Sequence, residues 1–372
     1  MRSGDTRSFP DCYCEDMKTL HYRLLALSVL ALGFVTPIHA QDAAEAGDAP
    51  GHRFGRVEPL DKKKGSVRIA SYNVLNLFDE SDDPSLSGKY DDLEMQTSRD
   101  RCESIAKAIR ALDADVLCLQ EIESEEALRW FRDEFLADMG YDHLASRDVG
   151  YYRGVEQSVL SRYPISDSTI WPDEDLQDME AQKTGEGWNE EGAVPTKFQR
   201  SPLMVDIEIP SSKGKKTYDL TLVVVHHKAG RNRRQRESEA LQLVELLEAR
   251  LEAEPDLNLM VLGDFNAGPR DRSLAVYQDA GFLNAYGRRW KKDGDTRDLF
   301  RTHESNRVID YLMLHPNLDS EAIDGTFQVV GTLHPGDKYD WRKDDPPKGY
   351  AADHYPLAID IRPLDRTVKR SR

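Results

Sequence analysis

Hydrophobic residues along the chain follow two spacings, and these predict strands that alternate with helices. Unbroken apolar runs such as Leu222–Val225 and Leu259–Leu262 are typical of strands that are buried on both faces of a sheet. Apolar residues at helical spacing in "RQRESEALQLVELLEARLEAE" predict a long amphipathic helix. Because strands alternate with helices in the first part of the chain and again after Val225, we predict an α/β fold in one continuous domain.

The other elements are predicted from the same spacings and from helix-capping residues. The first strand covers Val67–Tyr72, and amphipathic helices begin after an N-cap at Thr97 or Ser98 and after Ser124. Further strands are predicted from "DVLCLQEIES", "VEQSVLSRYPI", "PLMVDIEI", the hairpin "SSKGKKTYDLTLVVVHHK", "VIDYLML" and "HYPLAIDI".

Polar stretches rich in glycine, proline and acidic residues separate these elements. The segments from Trp171 to Gln199 and from Leu333 to Tyr350 have this composition, and we predict that both are surface loops. Residues 41–65 are polar and show no periodicity, so we predict a disordered tether, and residues 364–372 form a basic tail. The catalytic domain is therefore expected over residues 66–363.

The start of the chain has the pattern of an export signal. From Met17 to Ala40 a basic start is followed by an apolar run that is too short to span a membrane, and then by small residues. We therefore predict a signal peptide over residues 17–40, an upstream extension over residues 1–16, and a secreted or periplasmic protein. An uncleaved anchor is the alternative.

Charge and cysteine content narrow the possible functions. The net charge is −17, which opposes long-range attraction of polyanions and disfavours a nucleic-acid scaffold. It does not exclude a nuclease, since a bound cation and a few local arginines suffice to hold a phosphate. Cys102 and Cys118 remain after removal of the leader, and two buried free thiols or one disulfide bond are both consistent with an exported chain.

Polar side chains recur where the apolar runs end. Asp264 and Asn266 lie two residues apart after a buried run, so in extended backbone both point to one side. A local turn in which both side chains bond to nearby backbone is the alternative. Asp310 lies inside an apolar strand, and a carboxylate there must be paired or bind a cation. The other polar residues at strand ends are Asn73, Glu121, His226, Asp353 and His354.

This set of residue types suits metal-assisted hydrolysis of phosphoesters. Mg²⁺ prefers hard oxygen ligands, and one or two carboxylates together with a substrate phosphate are enough to hold it. Pairs of histidine and carboxylate supply proton transfer and stabilise charge in the transition state.

Seven segments, in order, resemble motifs of the endonuclease/exonuclease/phosphatase family: "RIASYNVLNLF", "DVLCLQEIE", "VEQSVLSRYPI", "VVVHHKAG", "VLGDFNAGP", "VIDYLML" and "AADHYPLAIDI". The resemblance spans roughly Val67 to Ile361. It implies a four-layer α/β sandwich, in which two packed mixed β-sheets are flanked by helices and a cleft lies where the strand ends meet. Such motifs are specific for the superfamily and say little about the substrate.

The resemblance also implies roles for individual residues. Glu121 matches the principal metal ligand, which Asn73 assists while it also faces the phosphate, and Asp353 resembles a second carboxylate on the metal side. Asp264 is expected to position or deprotonate the attacking water, and Asn266 to hold the phosphate.

The same resemblance assigns the histidines. His226 matches the family histidine, with His227 the weaker candidate, and Glu156 resembles the acid that orients it. Asp310 resembles the partner of His354. The acid and base roles are assigned to the pair His226 and His354 and not to either one.

Departures from the family patterns bear on the substrate. Leu75 stands where apurinic endonucleases carry an aspartate, which disfavours an enzyme that repairs abasic sites. Trp171 and Trp188 flank a segment that is too acidic to approach an anionic membrane easily, which disfavours docking on a bilayer. In "RNRRQR", Arg231, Arg233 and Arg234 follow His226 and are expected to grip phosphate, with an exposed helix start as the alternative.

We therefore predict an exported, divalent-metal-dependent phosphodiesterase that acts as a nuclease of low sequence specificity on DNA or RNA. A phospholipid phosphodiesterase resembling sphingomyelinases and a phosphomonoesterase acting on inositol or other phosphates are the alternatives. The expected cofactor is Mg²⁺, with Mn²⁺ or Ca²⁺ as alternatives, and a monomer without a stable protein partner is expected. A binding module without activity and a zinc phosphoesterase are less favoured by the complete, ordered set of motifs.

Overall fold

The computed structural model describes residues 50–176, 196–210, 217–289, 291, 297–340 and 343–364. The predicted upstream extension, the signal peptide, the first part of the tether, Trp188 and all but the first residue of the basic tail lie outside these ranges.

Two six-stranded sheets form the centre of the fold, and both contain parallel and antiparallel neighbours. The first sheet consists, in spatial order, of β12 (Gln328–Val329), β14 (Leu357–Ile361), β2 (Val67–Leu77), β3 (Val116–Ile122), β5 (Glu156–Ser161) and β4 (His143–Ser146). The second consists of β10 (Leu283–Asn284), β11 (Asp310–Leu314), β9 (Asn258–Asp264), β8 (Thr217–His226), β7 (Leu203–Pro210) and β6 (Ile165–Ile170).

The inner faces of the two sheets pack against each other and form one hydrophobic core. Alternate residues of β2, such as Val67 and Ile69, contribute to this core, while Ala70 and Tyr72 belong to a second core on the outer face. The strands therefore read as continuous apolar runs because both of their faces are buried.

Helices cover the outer faces of both sheets. Against the first sheet pack α2 (Arg99–Leu112) and α3 (Glu125–Phe135), and against the second α4 (Arg233–Ala253) and α5 (Arg272–Asp279). The short helices are α1 (Asp92–Met95) and α6 (Pro316–Asp319), and 3-10 turns occur at Gly88–Tyr90, Ala137–Met139, Ala285–Arg288 and Arg297–Phe300. The layers follow the order helices, sheet, sheet, helices, so the predicted four-layer sandwich is confirmed.

The predicted helix starts are found where the capping residues stand. Ser98 accepts a hydrogen bond from the backbone N–H of Arg101, and Ser124 accepts one from that of Ala127. Each bond satisfies a helix N–H that has no partner within the helix.

The prediction of a disordered tether is wrong for residues 50–65. The short strand β1 (Gly51–His52) pairs with β13 (Leu333–His334), and Phe54 is buried in the core between the sheets. Arg56 also forms a bridge with Val330. A single buried aromatic residue produces no periodic pattern, and its partners lie almost 300 positions away, so the local sequence does not reveal the pairing.

Cys102 and Cys118 are free and buried, which settles the alternative left open by the sequence. No helix in the described part of the chain has both the length and the apolar character needed to cross a membrane.

Candidate active site

Neighbouring strands of the second sheet place three predicted residues side by side. In the pairing of β8 with β9, His226 lies opposite Asp264, and in the pairing of β9 with β11, Asp264 lies opposite Asp310. Gly263 allows this close packing, since a Cβ atom at its φ of +136° would lie 2.1 Å from the carbonyl oxygen of Val225. The register of the sheet therefore brings together residues that are far apart in sequence.

Asp264 lies at the centre of the site and is buried. Its Oδ1 accepts a hydrogen bond of 2.8 Å from the backbone N–H of Asn266, and its Oδ2 accepts one of 3.0 Å from Asn266 Nδ2. The alternative of a local turn is therefore observed, since Asn266 has a φ of +49° and both its backbone N–H and its side chain bond to Asp264, while the role of the pair in the site stays a prediction. Burial raises the pKa of Asp264 to about 7, because the charge of His354, which lowers it, does not fully offset the combined effect of burial and Asp310.

Asn73 connects the two sheets across the site. Its Nδ2 donates to Asp264 Oδ2 at 3.2 Å and to Glu121 Oε1 at 3.4 Å, while its Oδ1 accepts from the backbone N–H of Leu75. The amide therefore presents donors to the site, which suits contact with a phosphate. As oriented, it does not present the oxygen that a metal ligand would require.

Glu121 reaches the site from an irregular position in β3. Its φ is +66°, and the pairing of β3 with β5 shifts register between Gln120 and Ile122. Such bulges redirect a side chain and are frequent beside active sites. Glu121 Oε2 accepts from the backbone N–H of Asn76, and Oε1 lies 3.6 Å from His226 Nε2.

His354 is held by Asp310, the partner that the resemblance implied. His354 Nδ1 lies 3.0 Å from both oxygens of Asp310, and His354 Nε2 lies 3.7 Å from Asp264 Oδ2. Burial lowers the pKa of His354, but the carboxylates of Asp310 and Asp264 and the hydrogen bond to Asp310 raise it well above its usual value.

His226 lies in the opposite electrostatic environment. Its Nε2 is 3.4 Å from Asp264 Oδ2. Burial lowers its pKa well below the usual value, and the positive charges of Arg200 and His354 lower it further. Arg200 lies close by because its guanidinium donates to the backbone carbonyls of His226 and His227. The two histidines that face Asp264 therefore differ in their preferred charge.

His227 points away from the site and is bonded to the helical layer. Its Nδ1 lies 3.1 Å from Glu239 Oε2, and its Nε2 lies 2.8 Å from the hydroxyl of Tyr277. Side chains alternate in direction at the end of β8. His226 therefore faces the site, and His227 faces the helices and supports the fold.

Glu156 makes no hydrogen bond to His226, although it was predicted to orient this histidine. Its Oε1 accepts from the backbone N–H of Val149, while its Oε2 and the Nδ1 of His226 are both buried without a partner. Burial raises the pKa of Glu156 to about 8. The orienting role stays a prediction.

Asp353 lies beside His303, a residue that the sequence did not single out. His303 Nε2 is 3.5 Å from Asp353 Oδ2, and the His303 ring packs edge-on against His354 with centroids 4.7 Å apart. His303, Asp353 and His354 are close enough to hold a metal ion. However, His303 Nδ1 accepts from the backbone N–H of Ser305, so the proton lies on Nε2 and that nitrogen is not free to bind a metal.

A divalent cation fits the carboxylates better than the histidines. Asp353 Oδ1 is buried and has no hydrogen-bond partner. Glu121 lines the same groove, and its Oε1 has only long contacts with Asn73 and His226. Carboxylate oxygens with unused lone pairs are the ligands that Mg²⁺ and similar cations prefer. Glu121 and Asp353 both line this groove, and their assignment as metal ligands remains a prediction.

A groove of about 510 Å³ runs past these carboxylates. Arg153 lines it beside Glu121 and donates to Asn76 Oδ1 at 2.7 Å. Arg53 also lines the groove and forms an ion pair with Asp337. Sequence reasoning missed Arg153 and Arg53 because both lie outside any periodic element, and only the position of Arg153 three residues before Glu156 could have drawn attention to it.

The arginines predicted to grip phosphate do not line this groove. Arg231 and Arg233 are exposed at the start of α4, and Arg234 is half-buried. Arg236, in the same run, donates to the carbonyls of Lys228 and Gly230 and so supports the loop after His226. The alternative of an exposed helix start describes Arg231 and Arg233 better.

Comparisons with known proteins agree with this arrangement. The sequence model described as "Endonuclease/Exonuclease/phosphatase family" matches residues 70–325. No curated protein sequence matches the chain.

Solved structures also resemble the chain. The human nocturnin catalytic domain with bound sulfate has a TM-score of 0.51 and 17% identity, and the match covers 81% of this chain and 95% of that one. A mannosyl-6-phosphatase from Bacteroides thetaiotaomicron has a TM-score of 0.48 and 16% identity, with 79% and 98% of the two chains covered. Sphingomyelinase C from Streptomyces griseocarneus has a TM-score of 0.48 and 15% identity, with 80% and 99% covered. At these identities the likeness to nocturnin shows the fold alone.

Proposed function

The chain belongs to the endonuclease/exonuclease/phosphatase family and is a metal-dependent phosphoester hydrolase, and we propose that it is an exported phosphodiesterase that cleaves DNA or RNA with low sequence specificity. The arrangement around Asp264 carries the hydrolytic part of this proposal. A buried carboxylate lies within 3.7 Å of two histidine Nε2 atoms, and one of these histidines is held by a second buried carboxylate.

The residues of the chain divide the work of hydrolysis among them. Asp264 positions the attacking water and accepts its proton as the oxygen bonds to phosphorus. The bond from phosphorus to the leaving oxygen breaks, and the pair His226 and His354 stabilises the developing charge and returns a proton to the leaving oxygen. Asn73 and Asn266 lie beside Asp264. Asn73 would donate to a phosphate oxygen in place of one of its long bonds to Glu121 and Asp264. The amide of Asn266 also donates to the carbonyl of His227, and it would contact phosphate only if it gave up one of its bonds.

Glu121 and Asp353 would hold the divalent cation, for which we propose Mg²⁺. When bound, such a cation neutralises phosphate charge and polarises the phosphoryl oxygen. The orphaned Asp353 Oδ1 supports this assignment. Asp310 orients His354, and His303 donates toward Asp353, so both act through the residues they position.

The groove favours a nucleic-acid substrate. It extends beyond the carboxylates and is lined by Arg153, Arg53 and the half-buried Tyr339. Arginines bind phosphates in a way that does not depend on base sequence, and aromatic rings stack on any base. This combination favours an extended phosphodiester chain over a compact phosphomonoester.

The surface gives little support to a lipid substrate. The large apolar side chains that are exposed in the described ranges are few and scattered, namely Val57, Leu93, Tyr152, Leu283 and Leu364. Docking on a bilayer requires a contiguous apolar patch or a basic surface, and the net charge of −17 opposes the latter.

Export is proposed from the sequence of residues 17–40 alone. Expression with the native start and sequencing of the mature N-terminus should give a chain that begins at Gln41. A chain that retains Met17 in the soluble fraction of the cytoplasm would contradict export.

Parallel assays on plasmid DNA, RNA, sphingomyelin and inositol phosphates, each with Mg²⁺, test the substrate. We expect nicking of DNA or shortening of RNA by the wild-type protein and none by Asp264→Asn. Release of phosphocholine or inorganic phosphate without cleavage of either polymer would overturn the nuclease proposal while leaving the hydrolytic site intact.

A further inference from the structure

The segment before the first sheet contributes a side chain to the groove of the active site. The strand β1 pairs with β13, so Arg53, which follows β1, lies beside His334. Both residues line the groove that also contains Glu121 and Asp353. Phe54 is buried in the core between the sheets, and its burial fixes the position of Arg53 next to it.

The imidazole of His334 carries its proton on the nitrogen that faces Arg53. Its Nδ1 accepts a hydrogen bond of 2.9 Å from the backbone N–H of Gly336. A neutral imidazole has one proton, so its two nitrogens cannot both accept hydrogen bonds. Burial and the charge of Arg53 lower the pKa of His334, which favours this neutral form. Since Nδ1 accepts, Nε2 carries the proton and can only donate.

Two hydrogen-bond donors therefore face each other in the wall of the groove. The Nη1 of Arg53 lies 3.3 Å from the Nε2 of His334, and both nitrogens carry hydrogens. Arg53 Nη1 also donates to the carboxylate of Asp337, whereas His334 Nε2–H has no acceptor among the residues that the structure describes. An N–H without an acceptor is costly when it is withdrawn from water, so this pair of donors is completed by an anion that accepts from both.

We propose that Arg53 and His334 form a subsite for a second phosphate of the substrate, next to the phosphate that is cleaved. This inference rests on the proposed nuclease activity and assigns a further part of the strand to the groove. A nucleic-acid strand carries one phosphate per nucleotide, so a strand with one phosphate at Glu121 and Asp353 has a neighbouring phosphate further along the groove. The guanidinium and the imidazole both donate to phosphate oxygens, and neither contact depends on the base.

Asp337 competes with the phosphate for Arg53. The side chains of Arg53 and Asp337 are 41% and 50% exposed, so water and salt screen their ion pair and it contributes little to stability. Removal of Asp337 leaves the guanidinium available to phosphate, whereas removal of Arg53 eliminates the binding group itself. The two replacements break the same ion pair, and we expect them to have different effects on substrate affinity.

Equilibrium binding of short oligonucleotides tests the subsite without requiring hydrolysis. The probes are fluorescent thymidine dinucleotide and trinucleotide without terminal phosphates, which carry one and two phosphates, and the protein is the full chain with Asp264→Asn in Mg²⁺. The trinucleotide should bind about 10-fold more tightly, and Arg53→Gln in the same protein should abolish this gain without changing the affinity for the dinucleotide. Equal affinities for the two probes before the change, or a gain that survives Arg53→Gln, would overturn the subsite.

Further variants separate direct binding from a structural effect of the ion pair. Asp337→Asn should leave the affinity for the trinucleotide unchanged or raise it, and a loss as large as that in Arg53→Gln would overturn the subsite. The matched control for charge is Lys64→Gln, which removes an exposed cation outside the groove and should change neither affinity. A loss in Lys64→Gln equal to that in Arg53→Gln would assign the effect to overall charge and contradict the proposal.

Two variants of His334 test its contribution as a donor. His334→Phe removes the donor and keeps an aromatic ring against Phe54, and it should weaken trinucleotide binding by about threefold. His334→Gln should restore the affinity, because the glutamine amide supplies an N–H in place of Nε2–H. Equal affinities of wild-type and His334→Phe proteins would remove the imidazole from the subsite.

The result for the subsite is distinguishable from the result for the nuclease proposal. If the wild type cleaves neither DNA nor RNA, the nuclease proposal fails, while a trinucleotide gain that depends on Arg53 still supports a second phosphate site. If the wild type cleaves either polymer and the gain persists in Arg53→Gln, the subsite fails and the nuclease proposal stands.

Discussion

The two ends of the sandwich treat buried charge in opposite ways. At the end where the parallel strands begin, the buried guanidinium of Arg68 pairs with Asp360 at 2.7 Å. The same guanidinium donates to the carbonyls of Leu112 and Leu60, and the second oxygen of Asp360 accepts from the N–H of Lys63. Both charges of this pair therefore have an opposite charge and several hydrogen bonds.

At the other end of the sandwich, where these strands finish, several buried polar atoms lack hydrogen-bond partners, and we call this the incomplete end. His226 Nδ1, Glu156 Oε2 and Asp353 Oδ1 are buried without hydrogen-bond partners, although Asp353 Oδ1 lies 3.9 Å from His354 Nε2. His226 Nε2 lies 3.4 Å from Asp264 Oδ2, which is longer than a normal hydrogen bond. Since nearly all buried polar groups in folded proteins are paired, such a concentration of unpaired atoms indicates a place where a ligand completes the set. The comparison separates buried charges that stabilise the fold from those kept for function.

Replacement of Asp264 by asparagine removes a carboxylate from the incomplete end, and we expect it to reduce activity more than any other replacement. We expect kcat to fall by about 10³-fold, because a carboxylate that accepts a proton and orients water contributes on that order. The Tm should stay level or rise, since the charge that is removed is disfavoured by burial. The matched control is Asp219→Asn, an exposed acid at the other end of the neighbouring strand, and it should change neither quantity. A large fall in Tm together with kcat would instead make Asp264 structural.

Replacement of Arg68 by methionine removes the ion pair at the opposite end of the sandwich, and we expect it to reduce stability without changing catalysis. This replacement leaves the buried carboxylate of Asp360 without a counterion. Unfolding by denaturant should therefore show that the free energy of unfolding falls by about 3–5 kcal/mol. The specific activity of the folded fraction should match the wild type. The double variant Arg68→Met with Asp360→Leu should recover much of the loss, because no charge is then left unpaired. Failure of the double variant to recover would mean that packing, and not charge pairing, dominates this position.

The contrast also explains which features the sequence reveals. The strands could be predicted because burial on both faces of a sheet requires a continuous run of apolar residues. The site residues could be predicted because they follow the ends of these runs. The apolar strand around Asp310 indicated only that this carboxylate requires a partner or a cation, and the resemblance to the family implied that the partner is His354. The first inference depends on local pattern, and the second depends on the ordered motifs.

The features that the sequence did not reveal depend on contacts between distant segments. Phe54 is buried because residues near Val330 return to cover it, and no spacing around Phe54 records that event. Arg153 and His303 lie in irregular segments, so their positions follow from the path of the loops. The cluster "RNRRQR" drew attention by its composition, yet its arginines do not line the groove. Composition shows that charges are present but not where they point.

Replacement of Arg153 by glutamine tests whether the groove beside the incomplete end binds the substrate phosphates. Arg153 lines the groove and interacts electrostatically with Glu121. Loss of a charged hydrogen bond to phosphate costs about 1.5–3 kcal/mol, which corresponds to roughly a 10- to 150-fold rise in KM. The control is Arg147→Gln, an exposed arginine that donates to Ser168, and its KM should be unchanged. An equal effect of both variants would mean that overall charge, and not the groove, governs binding.

The smallest effect is expected from Arg233→Gln combined with Arg234→Gln at the start of α4. Neither residue lines the groove. Arg233 is exposed and Arg234 is half-buried, and charges away from a site contribute little to binding there when salt screens them, so KM should change by about twofold or less at physiological salt. At low salt the slope of log KM against log salt should flatten by less than it does in Arg153→Gln, because a residue in direct contact with phosphate releases a counterion. A flattening as large as that of Arg153→Gln would show that the nucleic acid extends beyond the groove onto α4. Binding of nucleic acid would then depend on both the groove and α4. The incomplete end of the sandwich would be only the centre of a larger surface that binds nucleic acid.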